Sequence, residues 1–179
     1  AVKLSPGSAE TIYNLGLVMR DDGRAEEALV FFEKAMSIRP DYPDCRWDRA
    51  LNMLQRGNYE EGFAEYEWRW KLDRSPPRGY SKPLWDGSDL GRRTILIHQE
   101  QGFGDMIQFA RYIALVKEHG GTIVVEVPPQ LSRLFSTIDG VGQVVNTGAE
   151  LPRFDVWAPM MSLARLFGTT EGMVPADVP

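Results

Sequence analysis

Residues 94–105 read TILIHQEQGFGD and combine a strand signal with a turn signal. The apolar run 94–97 is typical of a buried strand, and His98 ends it. Gly102 and Gly104 then permit a tight turn before an apolar helical pattern. Because open α/β sheets bind ligands beyond the carboxyl ends of their strands, we expect a ligand site at this turn.

The alternation of strand and helix signals continues to the end of the chain. Strands are predicted at 94–98, 122–127, 143–146 and 154–157, and helices follow Gly104 and cover 129–137 and 161–168. Strands that alternate with helices indicate βαβ units and a parallel sheet with right-handed crossovers. We therefore predict a Rossmann-like α/β domain over residues 94–179.

The glycine turn has three interpretations, which give Asp105 different roles. A dinucleotide fingerprint does not fit, because Ile107 stands where the third glycine is needed. A structural interpretation makes Asp105 the N-cap of the helix, with Gln108 completing a capping box. A catalytic interpretation makes Asp105 a general base for an acceptor hydroxyl. The last two are compatible, and both stay open.

The neighbours of Asp105 form the rest of the candidate site. A packed and hydrogen-bonded ring is the simpler role for His98, and an exposed carboxylate is the simpler role for Glu100. The candidate ligand-binding residues are His98, Glu100, Gln101, Gly102, Phe103, Gly104 and Gln108.

A second pattern occupies the first part of the chain, where sequence features recur after 34 residues. AVKLSP at 1–6 aligns with AMSIRP at 35–40, and Gly23 aligns with Gly57. A 34-residue period of paired helices is the tetratricopeptide signature. The residues at that family's characteristic spacings are Leu15, Gly16, Gly23, Ala28, Phe32, Ala35 and Pro40.

Residues 1–73 therefore resemble tetratricopeptide (TPR) repeats: the tail of one at 1–6, a complete repeat at 9–42 and an atypical one at 43–74, where Arg49 replaces a leucine. We expect the chain to be part of a longer protein. Such repeats usually present a groove built from their first helices to a protein or peptide partner. The groove candidates are Tyr13, Asn14, Leu17, Arg20, Trp47, Asp48 and Leu51.

The two parts are joined by a basic linker at 74–93, rich in proline and glycine. Residues 69–93 carry seven basic and three acidic side chains, a local charge of +4. They form either a solvated connector or a basic rim beside an anionic ligand. We expect Leu84 and Trp85 to bury their side chains, which would make the linker ordered.

The composition excludes several other classes of protein. A net charge of −5 argues against nucleic-acid binding, and no apolar run is long enough for a membrane span. The single Cys45 cannot form an internal disulfide and suits a reducing, cytoplasmic compartment. Two histidines and one cysteine at no ligand spacing predict no metal site.

Two segments give the second part a specific likeness: KPLWDGSDLGRRTILIHQEQGFGDMIQFARY at 82–112 and LPRFDVWAPMMSLARLFGTT at 151–170. It resembles the N-terminal half of heptosyltransferase-like (family 9-like) glycosyltransferases, in the form fused behind tetratricopeptide repeats in bacterial proteins. Their two-Rossmann GT-B architecture is usually metal-independent. Its first half holds the acceptor, and its second half binds the nucleotide-sugar donor.

By this resemblance Gly104 and Asp105 match the family's Gly-Asp pair, whose aspartate is the proposed base of an inverting transfer. The nucleotide-sugar half is absent from the sequence, so we expect these residues alone to be inactive and to need no cofactor. The histidine motif of TPR-linked protein O-glycosyltransferases is also absent, so a protein acceptor is not implied. The alternative function is a non-catalytic TPR interaction scaffold.

Overall fold

The computed structural model describes residues 7–73 and 77–176, which fall into two units. The first unit is Ala1–Arg78 with Thr170–Gly172, and the second is Gly79–Thr169 with Met173–Pro179. The predicted repeat tail at 1–6, linker residues 74–76 and the final residues 177–179 lie outside the described residues.

The described part of the first unit consists of helical hairpins, in which α1 packs on α2 and α3 packs on α4. A 3₁₀ turn at Glu67–Lys71 follows the second hairpin. Gly23 and Gly57 close the two hairpins at φ +78° and +81°, which explains why glycine recurs there at the 34-residue offset. The helices are α1 (Ala9–Asp21), α2 (Ala25–Ile38), α3 (Pro43–Gln55) and α4 (Tyr59–Tyr66).

The core of the first hairpin depends on small residues at the helix contact. Gly16 of α1 lies so close to Phe32 of α2 that an added Cβ would stand 2.6 Å from its ring. Ala28, Phe32 and Ala35 are fully buried in this contact. Leu15 of α1 is 41% exposed, so the apolar stripe of that helix is wider than the surface its partner covers.

The second unit contains a four-stranded, fully parallel sheet in the order β3-β2-β1-β4. This confirms the predicted fold class, helical hairpins followed by a Rossmann-like sheet. The last strand lies two residues later than expected. Just before it, the Asp155 side chain accepts a hydrogen bond from the Thr94 amide. The strands are β1 (Gly91–His98), β2 (Gly120–Val127), β3 (Val141–Asn146) and β4 (Val156–Pro159).

Short helices lie between these strands and after the last one. They are α5 (Phe103–Phe109), α6 (Ile113–Glu118), α7 (Ser132–Phe135) and α8 (Leu163–Leu166), with 3₁₀ turns at Ala110–Tyr112, Pro129–Leu131, Met160–Ser162 and Glu171–Met173. Tyr80, Leu151 and Phe154, from segments outside helices and strands, pack on the sheet cluster that contains Leu96 and Trp157. None of the helices within 7–73 and 77–176 is both long and apolar enough to cross a bilayer.

The described part of the linker is ordered through Trp85, which is 3% exposed and donates its indole N–H to the Ser88 carbonyl at 2.8 Å. The expectation that Leu84 is also buried is wrong, since its side chain is 57% exposed. Its backbone runs parallel to Trp157 in an isolated bridge. Consecutive side chains of an extended segment point to opposite sides, so only one of the two can face the core.

Candidate functional site at the carboxyl edge of the sheet

The strand order reverses at β1, with β2 and β3 on one side and β4 on the other. His98 ends β1, and its register partner Pro159 ends β4. The loops that follow these two strands therefore leave the sheet side by side. This is a topological switch point, the place where doubly wound sheets bind ligands.

The loop after β1 is held to the sheet by its first residue. The Gln99 amide donates to the carbonyl of Glu126 on β2 at 3.2 Å. The Gln99 carbonyl accepts a hydrogen bond of 2.8 Å from Nδ1 of His98. His98 is 1% exposed, so the structure gives its ring the packed and hydrogen-bonded role.

The next residue reaches across to the loop after β4. Oε1 of Glu100 accepts a hydrogen bond from the amide of Met161 at 3.1 Å, and Met161 is 9% exposed. Glu100 is half-buried, in contrast to the exposed carboxylate that the sequence predicted by default. Nothing local in the sequence pointed to Met161, because 61 residues separate the two partners.

Helix α5 begins earlier than predicted, at Phe103, with Gly102 as its N-cap and no side-chain cap hydrogen bond. The interpretation of Asp105 as the N-cap, with Gln108 completing a capping box, is therefore wrong. Gly102 already supplies the extended backbone that an N-cap needs. Asp105 stands in the first turn instead, where the helix dipole favours a carboxylate.

The remaining predicted site residues differ in how exposed their side chains are. Asp105 and Gln101 are half-buried. The exposed ones are Gly102, Phe103, Gly104 and Gln108. An exposed, glycine-flanked first turn leaves the Asp105 carboxylate accessible to a ligand at the switch point.

A buried polar group beside the loop escaped the sequence analysis. Glu126 of β2 is 2% exposed and is the register partner of His98. The Tyr80 hydroxyl lies 3.5 Å from Oε2 of Glu126, and the Tyr80 ring contacts the His98 ring edge-on at 5.9 Å. The available signal was a single glutamate inside the apolar run TIVVEV at 122–127.

Three of the predicted groove residues of the first unit form a hydrogen-bond network with one another. Tyr13 and Arg20 of α1 both donate to Asp48 of α3, each at 2.5 Å. Burial and the hydrogen bond to Asp48 raise the pKa of Tyr13 well above its ordinary value. Asn14 is exposed, and the half-buried candidates are Leu17, Trp47 and Leu51.

Neither unit shows a metal centre in its described residues: within 7–73 and 77–176 no three His, Cys, Asp or Glu side chains are grouped so that they could hold an ion.

The chain was compared with known proteins, and no family model matches it. Protein FlbA of Caulobacter vibrioides is 28% identical over 88% of this chain and 30% of its own length. An uncharacterized protein of Methanocaldococcus jannaschii is 38% identical over 30% of this chain and 62% of its own. The chain thus spans less than two thirds of each relative.

Among solved structures, an O-GlcNAc transferase mutant of Thermobaculum terrenum aligns with a TM-score of 0.37 and 17% identity. The alignment covers 80% of this chain and 29% of that one. None of these similarities assigns an activity to the chain.

Proposed function

We propose that the chain is the TPR array and acceptor-side domain of a glycosyltransferase-like protein that transfers a sugar from a nucleotide-sugar donor. The observation that carries the proposal is the half-buried Asp105 carboxylate, in a glycine-flanked first turn at the β1/β4 switch point. The tetratricopeptide and heptosyltransferase-like resemblances of the sequence support the same function, as a bacterial GT-B protein. The lone, buried Cys45 suits a cytoplasmic location.

In the proposed reaction Asp105 acts as the general base. Its carboxylate takes the proton of an acceptor hydroxyl while that oxygen forms a bond to the anomeric carbon of the donor sugar. The bond from the anomeric carbon to the nucleotide diphosphate breaks, and the diphosphate leaves with the electron pair. A direct displacement of this kind inverts the anomeric configuration. The donor would bind residues outside this sequence.

The other loop residues would position the acceptor. Gly102 and Gly104 let a sugar approach the backbone closely, since neither has a side chain. Gln101 and Gln108 offer amides that can donate to and accept from hydroxyl groups. Phe103 is 48% exposed and offers an apolar surface to the acceptor. His98 and Glu100 would hold the loop in place through their hydrogen bonds with Gln99 and Met161.

The test is sugar transfer by the natural protein that contains this chain, measured with a panel of nucleotide sugars. Asp105→Asn should lower kcat by about 10²–10⁴-fold, the usual contribution of a general base. Asp139→Asn is the matched control, because Asp139 is 88% exposed and pairs with Lys117, away from the Asp105 loop in sequence. Full activity of Asp105→Asn would remove the catalytic role and leave the fold unchanged.

A second candidate is a non-catalytic scaffold that binds a protein or peptide through the first helices of the repeats. The exposure of Asn14 and the partial exposure of Trp47 favour it. Asn14→Ala combined with Trp47→Ala should remove a partner captured by residues 1–78. A partner set unchanged by both substitutions would count against the scaffold.

A further inference from the structure

We infer that Glu100 is a positioning residue for Asp105: its carboxylate ties the loop after β1 to the turn after β4, and this tie sets where the Asp105 carboxylate lies. The inference rests on the proposed function, in which Asp105 is the base. It assigns Glu100 a role different from the ligand contact that the sequence predicted.

The loop between β1 and α5 is short. Only residues 99–102 separate the end of β1 from the start of α5. Gln99 is held by the Glu126 carbonyl of β2 and by the ring of His98, the last residue of β1. Glu100 is held on the β4 side, by the Met161 amide. The short loop is thus anchored on both sides of the switch point.

The Glu100 contact stabilises the turn that follows β4. The Met161 amide stands in the 3₁₀ turn Met160–Ser162, and the residue is 9% exposed. A buried N–H that loses its acceptor is penalised, because little water can replace the lost partner. The Glu100 side chain therefore stabilises the Met160–Ser162 turn as well as its own loop.

The anchored loop is also connected to Asp105. A Cβ added at Gly102 would lie 3.7 Å from Oδ2 of Asp105, so this carboxylate folds back over the loop. The Met106 amide donates to the Gly102 carbonyl at 3.1 Å, which joins the loop to the first turn of α5. Helix α5 also packs against the Met160–Ser162 turn. A shift of the loop would therefore move Asp105 relative to β4.

Such a shift matters for catalysis, because a displacement of about 1 Å in a reacting group can lower a rate about 10²-fold. Glu100→Gln and Glu100→Ala remove the same negative charge, but only glutamine keeps a side-chain oxygen that can accept from Met161. Glutamine keeps the acceptor that alanine lacks, so the difference between these two variants tests this hydrogen bond. Glu150→Ala is the control, since Glu150 is exposed in the loop before β4.

The first measurement is amide hydrogen exchange of Met161 in the ¹⁵N-labelled chain. Glu100→Ala should raise its exchange rate by at least about tenfold, and Glu100→Gln by clearly less, because local opening becomes easier without the acceptor. The second is sugar transfer by the natural protein with nucleotide-sugar donors. Glu100→Ala should lower kcat by about 10–10²-fold with little change in donor KM, and glutamine should restore much of it.

Equal Met161 exchange in the alanine and glutamine variants would overturn the inference, and so would equal kcat values. A loss of kcat explained by a lower melting temperature of Glu100→Ala would overturn it as well. If Asp105→Asn is inactive and the two Glu100 variants are alike, only the positioning role fails. If Asp105→Asn is fully active, the base role of Asp105 fails and the positioning role with it, while sugar transfer itself stands; if the wild-type protein transfers no sugar from any donor, the proposed function fails.

Discussion

Arg20 of α1 donates from Nη1 to Oδ1 of Asp48 on α3, a hydrogen bond of 2.5 Å that joins the first helices of successive hairpins. The other oxygen of Asp48 accepts from the Tyr13 hydroxyl, also at 2.5 Å. Asp48 is 7% exposed, so its charge is balanced in a largely dry environment. The network stabilises the packing of one hairpin on the next and occupies part of the predicted groove.

Asp48→Ala should destabilise the helical unit, because Arg20 and Tyr13 lose a charged acceptor. The expected loss in the free energy of unfolding is about 1.5–3 kcal/mol, the range for hydrogen bonds to charged groups. Urea denaturation followed by helical circular dichroism measures it. The control is Asp21→Ala, whose carboxylate also contacts Arg20 but is 72% exposed; it should cost about 0.5 kcal/mol or less. Equal losses in the two variants would contradict the role given to Asp48.

Gly16→Ala should also destabilise this unit. The new Cβ would meet the Phe32 ring at 2.6 and 2.7 Å, and Phe32 is fully buried, so the ring would have to shift within the core. We expect a loss of about 1–3 kcal/mol, typical of overpacking, despite the better helix propensity of alanine. The same denaturation experiment applies, with Gly172→Ala as the control, because nothing lies within 4 Å of that position. A Gly16→Ala chain as stable as wild type would show that α1 and α2 can separate at no cost.

The stability of the first unit should fall at alkaline pH through Cys45. Burial raises the pKa of its thiol to about 12 from an ordinary value of 9.0. The folded chain then keeps a proton that the unfolded chain releases, so this contribution is complete below pH 9 and is lost between pH 9 and 12. The slope is about 1.4 kcal/mol per pH unit.

The measurement for Cys45 is the free energy of unfolding at several pH values for wild type and Cys45→Ala. Alanine lowers stability by a constant amount, so the difference between the two chains should shrink as pH rises above 9. A difference that stays constant up to pH 11 would contradict the prediction. A thiol reagent should also label native Cys45 slowly, because its side chain is fully buried.

Gly121→Ala should destabilise the sheet unit. Gly121 has φ +76°, and an added Cβ would collide with the Arg93 carbonyl oxygen and approach Leu90 Cβ at 2.8 Å. The strained backbone and the steric overlap together should lower the free energy of unfolding by about 1–3 kcal/mol. This loss would appear as a lower midpoint of urea denaturation. Gly79→Ala is the control, since that position has open space and no positive φ. An unchanged midpoint in Gly121→Ala would mean that β1 and β2 tolerate a shift at this edge.

The sequence alone was sufficient for the features that repeat locally. The 34-residue offset and its paired glycines predicted the helical hairpins, because each hairpin forms from contacts between neighbouring segments. The alternation of apolar strands and helices predicted the parallel sheet for the same reason. The glycine turn after β1 was found as well, because the turn and its strand are adjacent in sequence.

Only the tertiary structure decided which strands and side chains become neighbours. The order β3-β2-β1-β4 made β1 and β4 the switch point, and no local pattern encodes that order. The same holds for Glu100 with Met161, which are 61 residues apart, and for Tyr13 with Asp48, which are 35 apart. Local periodicity shows which face of an element is buried, whereas the partner of a polar side chain depends on how distant segments pack.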